Sequence, residues 1–159
     1  MGDVVVPAIT KLGDAGIIWI ILAMILLIIP KTRKTGVIMT AALLVDLLLC
    51  NVLIKNLVAR TRPFDVNTTV KLLIEKPHDY SFPSGHTAAS FACVAALYLA
   101  GEKKMWKAAL VAAIMIALSR MYLYVHYPTD IIGGVVFGIL SGYLGYKIVE
   151  AIQKRREKK

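Results

Sequence analysis

The chain has 159 residues, 58% of them hydrophobic, with a mean hydropathy of +0.68 and a formal net charge of +9. Soluble domains are nearer half apolar, so this composition excludes an ordinary soluble protein and indicates one embedded in a membrane. At about 20 residues per span, the length holds about five transmembrane helices with short loops, and a separate soluble domain has no room.

In chain order, residues 1–14 are only mildly apolar and contain Pro7, so they are expected to lie on the membrane surface and not to span it. They also lack the basic leader and cleavage site of a secretory signal. A first apolar stretch covers about 15–30 and a second about 36–57; the second carries Asp46, for which a Tyr or Ser on a neighbouring helix is the expected partner. The polar loop 64–82 is long for a tight bundle, and its stretch 70–76 is expected on the bilayer surface beside the site. Further spans are expected over 86–101 and 108–124. The last begins after Pro128, a residue favoured at a first helical position, and runs to about residue 149 before a basic tail at 150–159. Run lengths of this kind fit helices, so the fold expected is a single all-α membrane bundle over 1–159.

Basic residues set the expected orientation. Twelve of the 19 fall in 31–34, 103–107 and the tail from Lys147, which share one side of a five-span bundle and should be cytoplasmic. The tail lacks the aromatic and basic interleaving of a nucleic-acid binder and reads as an orientation signal that touches anionic lipid. Cys50 and Cys93 read as small buried hydrophobes. His78, His86 and His126 have no metal-ligand spacing, no cofactor motif occurs, and Gly133-Gly134 reads as a helix-packing site.

Three clusters remain, each at the end of an apolar stretch and all on the opposite, non-cytoplasmic side: Lys55 to Arg62-Pro63; Pro83-Ser84-Gly85-His86; and Ser119-Arg120 followed by His126 and Asp130. Lys55, Arg62 and Arg120 offer fixed positive charge, and the arginine fork matches phosphate oxygens. Ser84 and Gly85 precede a helix, so their N–H groups can face an anion. His86 and His126 are imidazoles, which ordinarily titrate near physiological pH and suit proton transfer and nucleophilic attack. Asp130, four residues beyond His126, is within reach of an imidazole N–H. Arg60 reads as a surface or headgroup contact, and His78 and Asp79 read equally well as substrate contacts or as loop polarity.

In residue type, order and interval, these blocks resemble the signature of the type 2 phosphatidic acid phosphatase (PAP2) superfamily over 55–130. The pattern is a Lys, six residues and Arg-Pro; Pro-Ser-Gly-His; then Ser-Arg, five residues, His, three residues, Asp. Here it is matched at every position. The resemblance implies a metal-independent, cofactor-free phosphatase with a PAP2/haloperoxidase-type helical core. By the same carry-over, His126 attacks phosphorus, Asp130 orients it, His86 protonates the leaving oxygen, and Lys55, Arg62, Ser84, Gly85 and Arg120 cradle the phosphoryl group. Members often carry six spans, against five here. A lipid phosphate presented at the outer face of the plasma membrane is the implied substrate, with undecaprenyl diphosphate first and phosphatidylglycerol phosphate or phosphatidic acid next. The rival class, a non-catalytic binder or carrier of anionic lipid, predicts loss of His86, His126 or Asp130, and all three are present. The haloperoxidase branch is disfavoured because its members are soluble. The motifs read only the phosphoryl end, and so leave the lipid tail and the oligomeric state open.

Overall fold

Trp19, Ala23 and Leu26 recur at intervals of four and three, and they form the inward stripe of α1 (Ile17–Ile28). Its other faces expose Ile20, Met24 and Ile28, an arrangement that hydrocarbon solvates better than water. The computed structural model describes Val6 and residues 16–158. Apart from Val6, the surface segment expected at 1–14 lies outside the described residues.

A 3₁₀ turn at Pro30–Thr32 leads into α2 (Arg33–Asp46). The helix then continues through a π-wound stretch, Leu47–Ile54, into the final turn α3 (Lys55–Val58). The wider winding is visible in the Lys55 N–H, which bonds the Cys50 carbonyl five residues back. Ala59 ends this rod in the left-handed region at φ +47°, its N–H bonding the Lys55 carbonyl at 2.9 Å. A short α4 (Pro63–Val66) opens the long loop, and three rods follow: α5 (Gly85–Leu99), α6 (Met105–Tyr122) and α7 (Pro128–Glu157).

Among the described residues, five helical rods therefore stand where five were expected. Among the described residues, three are long and apolar enough to cross a membrane: 30–66, 105–122 and 128–157. The other two, α1 with 12 residues and α5 with 15, are shorter. Gly16 and Pro30 bound α1, whereas the Ser84 cap and Gly101, both glycines having positive φ, bound α5. The tail expected as a separate basic segment is instead the end of α7, where Lys147 and Lys154 flank Glu150 at 3.1 and 3.6 Å.

α7 is the spine of the bundle, and its glycines explain how. A Cβ added at Gly134 would lie 2.8 Å from the Ser84 carbonyl oxygen, at Gly138 2.4 Å from that of Ala88, and at Gly142 2.6 Å from that of Ala92. At Gly145 it would lie 2.5 Å from the Ala42 nitrogen. The backbone of α7 thus touches α5 and α2 directly, as small residues at four-residue spacing permit. Gly133 belongs to this packing through Phe82, whose ring a Cβ would meet at 2.5 Å.

Cys50 and Cys93 are buried free thiols. Asp46 is 2% exposed, and its side-chain partner is Cys50, one turn along the same rod, not a Tyr or Ser across the bundle. The stretch 70–76 is also tied down more firmly than expected. Leu72 and Ile74 pack on Phe64, Leu123 and Val125, while Lys76 pairs with Asp65 at 2.5 Å.

Candidate active site

All three sequence clusters converge at one end of the bundle. α2 and α3 deliver Lys55 at their exit, the Ala59 turn brings Arg62 back, α5 begins with Gly85 and His86, α6 carries Arg120 in its last turn, and the 123–127 turn presents His126 ahead of α7. Six of the eight candidate residues, Lys55, Arg62, Gly85, His86, Arg120 and His126, line one polar cavity of about 760 Å³. The other two, Ser84 and Asp130, stand directly behind this wall and are fully buried.

Arg62 braces the site from several directions. Its Nη1 donates to the Val125 carbonyl at 2.7 Å, and its Nε donates to the Asp79 carbonyl at 2.7 Å. Nη1 also lies 3.3 Å from His126 Nε2. A guanidinium can only donate, so this contact assigns the lone pair to Nε2 and the proton to Nδ1. His126 Nδ1 in turn faces Asp130 Oδ2 at 3.5 Å, longer than a tight hydrogen bond. Burial, reinforced by Arg62 and Arg120 and opposed by Asp130, lowers His126 from the usual imidazole range to about 4. At neutral pH the ring is therefore uncharged, with Nε2 on the cavity side.

Asp130 is held on both oxygens. Oδ2 accepts from Ser81 Oγ at 2.5 Å and from the Tyr127 N–H at 2.9 Å, and Oδ1 accepts from Arg60 Nη1 at 2.7 Å. Its backbone is engaged too, because the Ser84 N–H donates to the Asp130 carbonyl at 3.1 Å. That last bond corrects one expectation: the Ser84 amide is used to join α5 to α7 and is not aimed at an anion. The Ser84 hydroxyl accepts from Thr87 Oγ1 at 3.0 Å, while Gly85, the first helical residue, borders the cavity.

Sequence reasoning gave too little weight to two residues. Asp79, which reads equally well from sequence as a substrate contact or as loop polarity, pairs with both Lys55 and Arg62, the latter at 2.6 Å. Burial alone would raise its carboxyl, but the two cations outweigh that and hold it at about 2. Arg60, whose position in the sequence reads as a surface or headgroup contact, reaches the Asp130 carboxylate. An acidic residue seven positions before His86, among so many cations, was the available signal for Asp79; for Arg60 there was none.

A second cavity of about 620 Å³ adjoins the first and shares Lys55, Asp79, Gly85 and His86 with it. Away from these residues it runs between α1 and α2 past Met24, Leu27, Leu43 and Leu44, and is mainly apolar. The ensemble is thus a membrane-embedded helical bundle with a cavity lined by Lys55, Arg62 and Arg120 and an adjoining apolar annex.

Comparison with known proteins agrees with that class. Residues 35–154 match the PAP2 superfamily, and the chain belongs to it. It is 34% identical over 131 residues to an undecaprenyl-diphosphatase of Sulfolobus acidocaldarius, covering 82% of this chain and 63% of that relative's length. In structure it resembles the transmembrane PAP2-type phosphatidylglycerolphosphate phosphatase from Bacillus subtilis, with a TM-score of 0.71, 30% identity, and coverage of 94% of this chain and 77% of that one. It likewise resembles Aquifex aeolicus LpxE, with a TM-score of 0.75, 30% identity and coverage of 91% and 85%.

Proposed function

We propose that this membrane protein hydrolyses a lipid phosphate or diphosphate without a metal ion, through a phosphohistidine intermediate. The observation that carries the reading is the placement of His126: its ring lines the cavity with Arg62, Arg120 and Lys55, with Nε2 3.3 Å from Arg62 Nη1 and Nδ1 turned towards Asp130. Those cations hold the phosphoryl oxygens and offset the charge that develops on them during transfer. Nε2 attacks phosphorus, and the bond to the leaving oxygen breaks. His86, on the same wall, donates a proton to that oxygen. His86 then takes a proton from water as it attacks the phosphohistidine, releasing inorganic phosphate and restoring Nε2. Asp130 keeps the Nδ1 proton facing away from substrate throughout.

For substrate, we favour a polyprenyl diphosphate. The apolar annex opening onto Lys55 and His86 suits a long hydrocarbon tail, and the similar Sulfolobus protein is named for undecaprenyl diphosphate. The similar B. subtilis structure, named for phosphatidylglycerolphosphate, supports a diacyl phosphate as the second reading. We place the site on the non-cytoplasmic face of the plasma membrane and the C-terminus in the cytoplasm, because the basic 31–34 and 103–107 turns and the end of α7 lie at the opposite ends of the rods that carry the site.

The test is phosphate release from a panel of lipid phosphates in detergent with excess chelator. Activity that persists in chelator and disappears in His126→Ala supports the mechanism. Activity that requires added metal, or survives the substitution, rejects it.

A further inference from the structure

Arg60 occupies one of the six unspecified positions between Lys55 and Arg62, so the signature does not name it, yet it is built into the back of the site. Its Nη1 donates to Asp130 Oδ1 at 2.7 Å and to Thr129 Oγ1 at 2.6 Å. The guanidinium lies over the Tyr127 ring, 3.9 Å from its centroid. The Arg60 carbonyl accepts from the Ser81 N–H at 2.8 Å, and the Ser81 hydroxyl reaches the other oxygen of Asp130. Three segments distant in sequence are thereby closed into a ring around one carboxylate.

We propose that Arg60 is a positioning residue for the His126–Asp130 pair, clamping Asp130 Oδ1 so that Oδ2 alone faces the imidazole. Asp130 is completely buried, so an unclamped Oδ1 would be left without a partner, and the carboxylate would turn to satisfy it. The clamp also moderates charge. An uncompensated carboxylate beside His126 would favour imidazolium, which has no lone pair at Nε2 with which to attack. With Arg60 on its far side, Asp130 orients the ring while its pull on a proton is partly cancelled. The exposure of the Arg60 side chain, 35%, places it at the rim, where it supports the pair from behind and takes no place on the cavity wall.

This inference rests on His126 being the nucleophile, and the experiment separates the two. Wild type, His126→Ala, Arg60→Gln and Arg60→Lys are compared for kcat, KM and the acidic limb of kcat/KM on one lipid phosphate in chelator. His126→Ala judges the nucleophile by itself. His126 is faced by Arg62, Arg120 and Asp130, with Lys55, Asp79 and His86 on the same cavity, and the Arg60 variants leave all of these in place. Arg60→Gln is expected to lower kcat by roughly tenfold to a hundredfold, the range seen when the partner orienting a metal-bound histidine is lost, taken here for a histidine oriented in the same way. KM should be unchanged and the acidic limb should move to higher pH, since both the lost repulsion and the freed carboxylate favour protonated His126. Arg60→Lys should fall between the two. A raised KM with kcat preserved would make Arg60 a headgroup contact and overturn the proposal, as would a lower kcat with an unmoved limb. If Arg60→Gln does not yield folded protein, Arg60→Lys decides: an upward shift of its limb at constant KM supports positioning, and wild-type kcat and limb overturn it.

Discussion

Asp79 lies against Arg62, its Oδ1 2.6 Å from Nη2, and its second oxygen meets Lys55. A carboxylate thus occupies the two cations assigned to substrate phosphate. Asp79→Asn should therefore lower KM for a lipid phosphate several-fold with little change in kcat, because substrate no longer competes with an internal anion. It should also lower the thermal midpoint in phosphate-free detergent, leaving buried Lys55 and Arg62 without their counter-charge, and added phosphate should restore it. Steady-state kinetics and melting curves at several phosphate concentrations check both halves.

The pH profile follows from His126. Its folded value of about 4 lies below the ordinary 6.5, so the unfolded chain binds the extra proton first as pH falls. The contribution of this group to stability is complete above pH 6.5 and declines between 6.5 and 4. Activity should follow the folded value, with the acidic limb of kcat/KM near pH 4. A limb near 6.5 that moves with substitution of His126's neighbours would show that the ring is far more hydrated than its burial indicates.

Gly138 meets the Ala88 carbonyl so closely that even a methyl group has no space. Gly138→Ala should destabilise the protein by about 1–3 kcal/mol, the usual range for overpacking. Val136→Ala, two residues away on the outward face, should change stability by no more than ~0.5 kcal/mol. Paired melting curves in one detergent test the contrast.

The apolar annex can be blocked without touching the cations. Leu44→Trp adds bulk to its wall, far along α2 from Lys55. KM for a long-chain lipid phosphate should rise several-fold, while that for a short water-soluble phosphate ester should stay constant. Equal increases for both would mean the tail lies elsewhere.

Much of this architecture was legible in the sequence, and what was not has a physical reason. The rods announce themselves through apolar runs ended by Pro30, Gly101 and Pro128, and the signature blocks name the cavity-lining cations and imidazoles. The ring around Asp130 does not, because it depends on the turn that follows Ala59. That alanine adopts a left-handed conformation more typical of glycine, and nothing in its identity warns that Arg60 will be carried back towards Ser81 and Asp130. Asp79 was obscured for a different reason: charge in a loop ordinarily means solvent, and only the folded loop shows that its neighbours are buried cations. The Ser84 amide looked available because helix starts usually leave their N–H groups unpaired, but α7 passes close enough to supply a carbonyl.

The π-wound stretch between Asp46 and Lys55 sets the phase between the two ends of the second rod. Below it, Ala42 is keyed to Gly145; above it, Lys55 is keyed to Gly85. A π turn takes up about one residue more than an α turn, and an α-helix turns by about 100° per residue, so regular α winding of 47–54 at the same length would swing Lys55 around the rod and away from the cavity while the lower half stayed in register. The widened winding is a phase adjuster, through which a packing surface and a reacting surface on one continuous helix can each be aligned to its own partner.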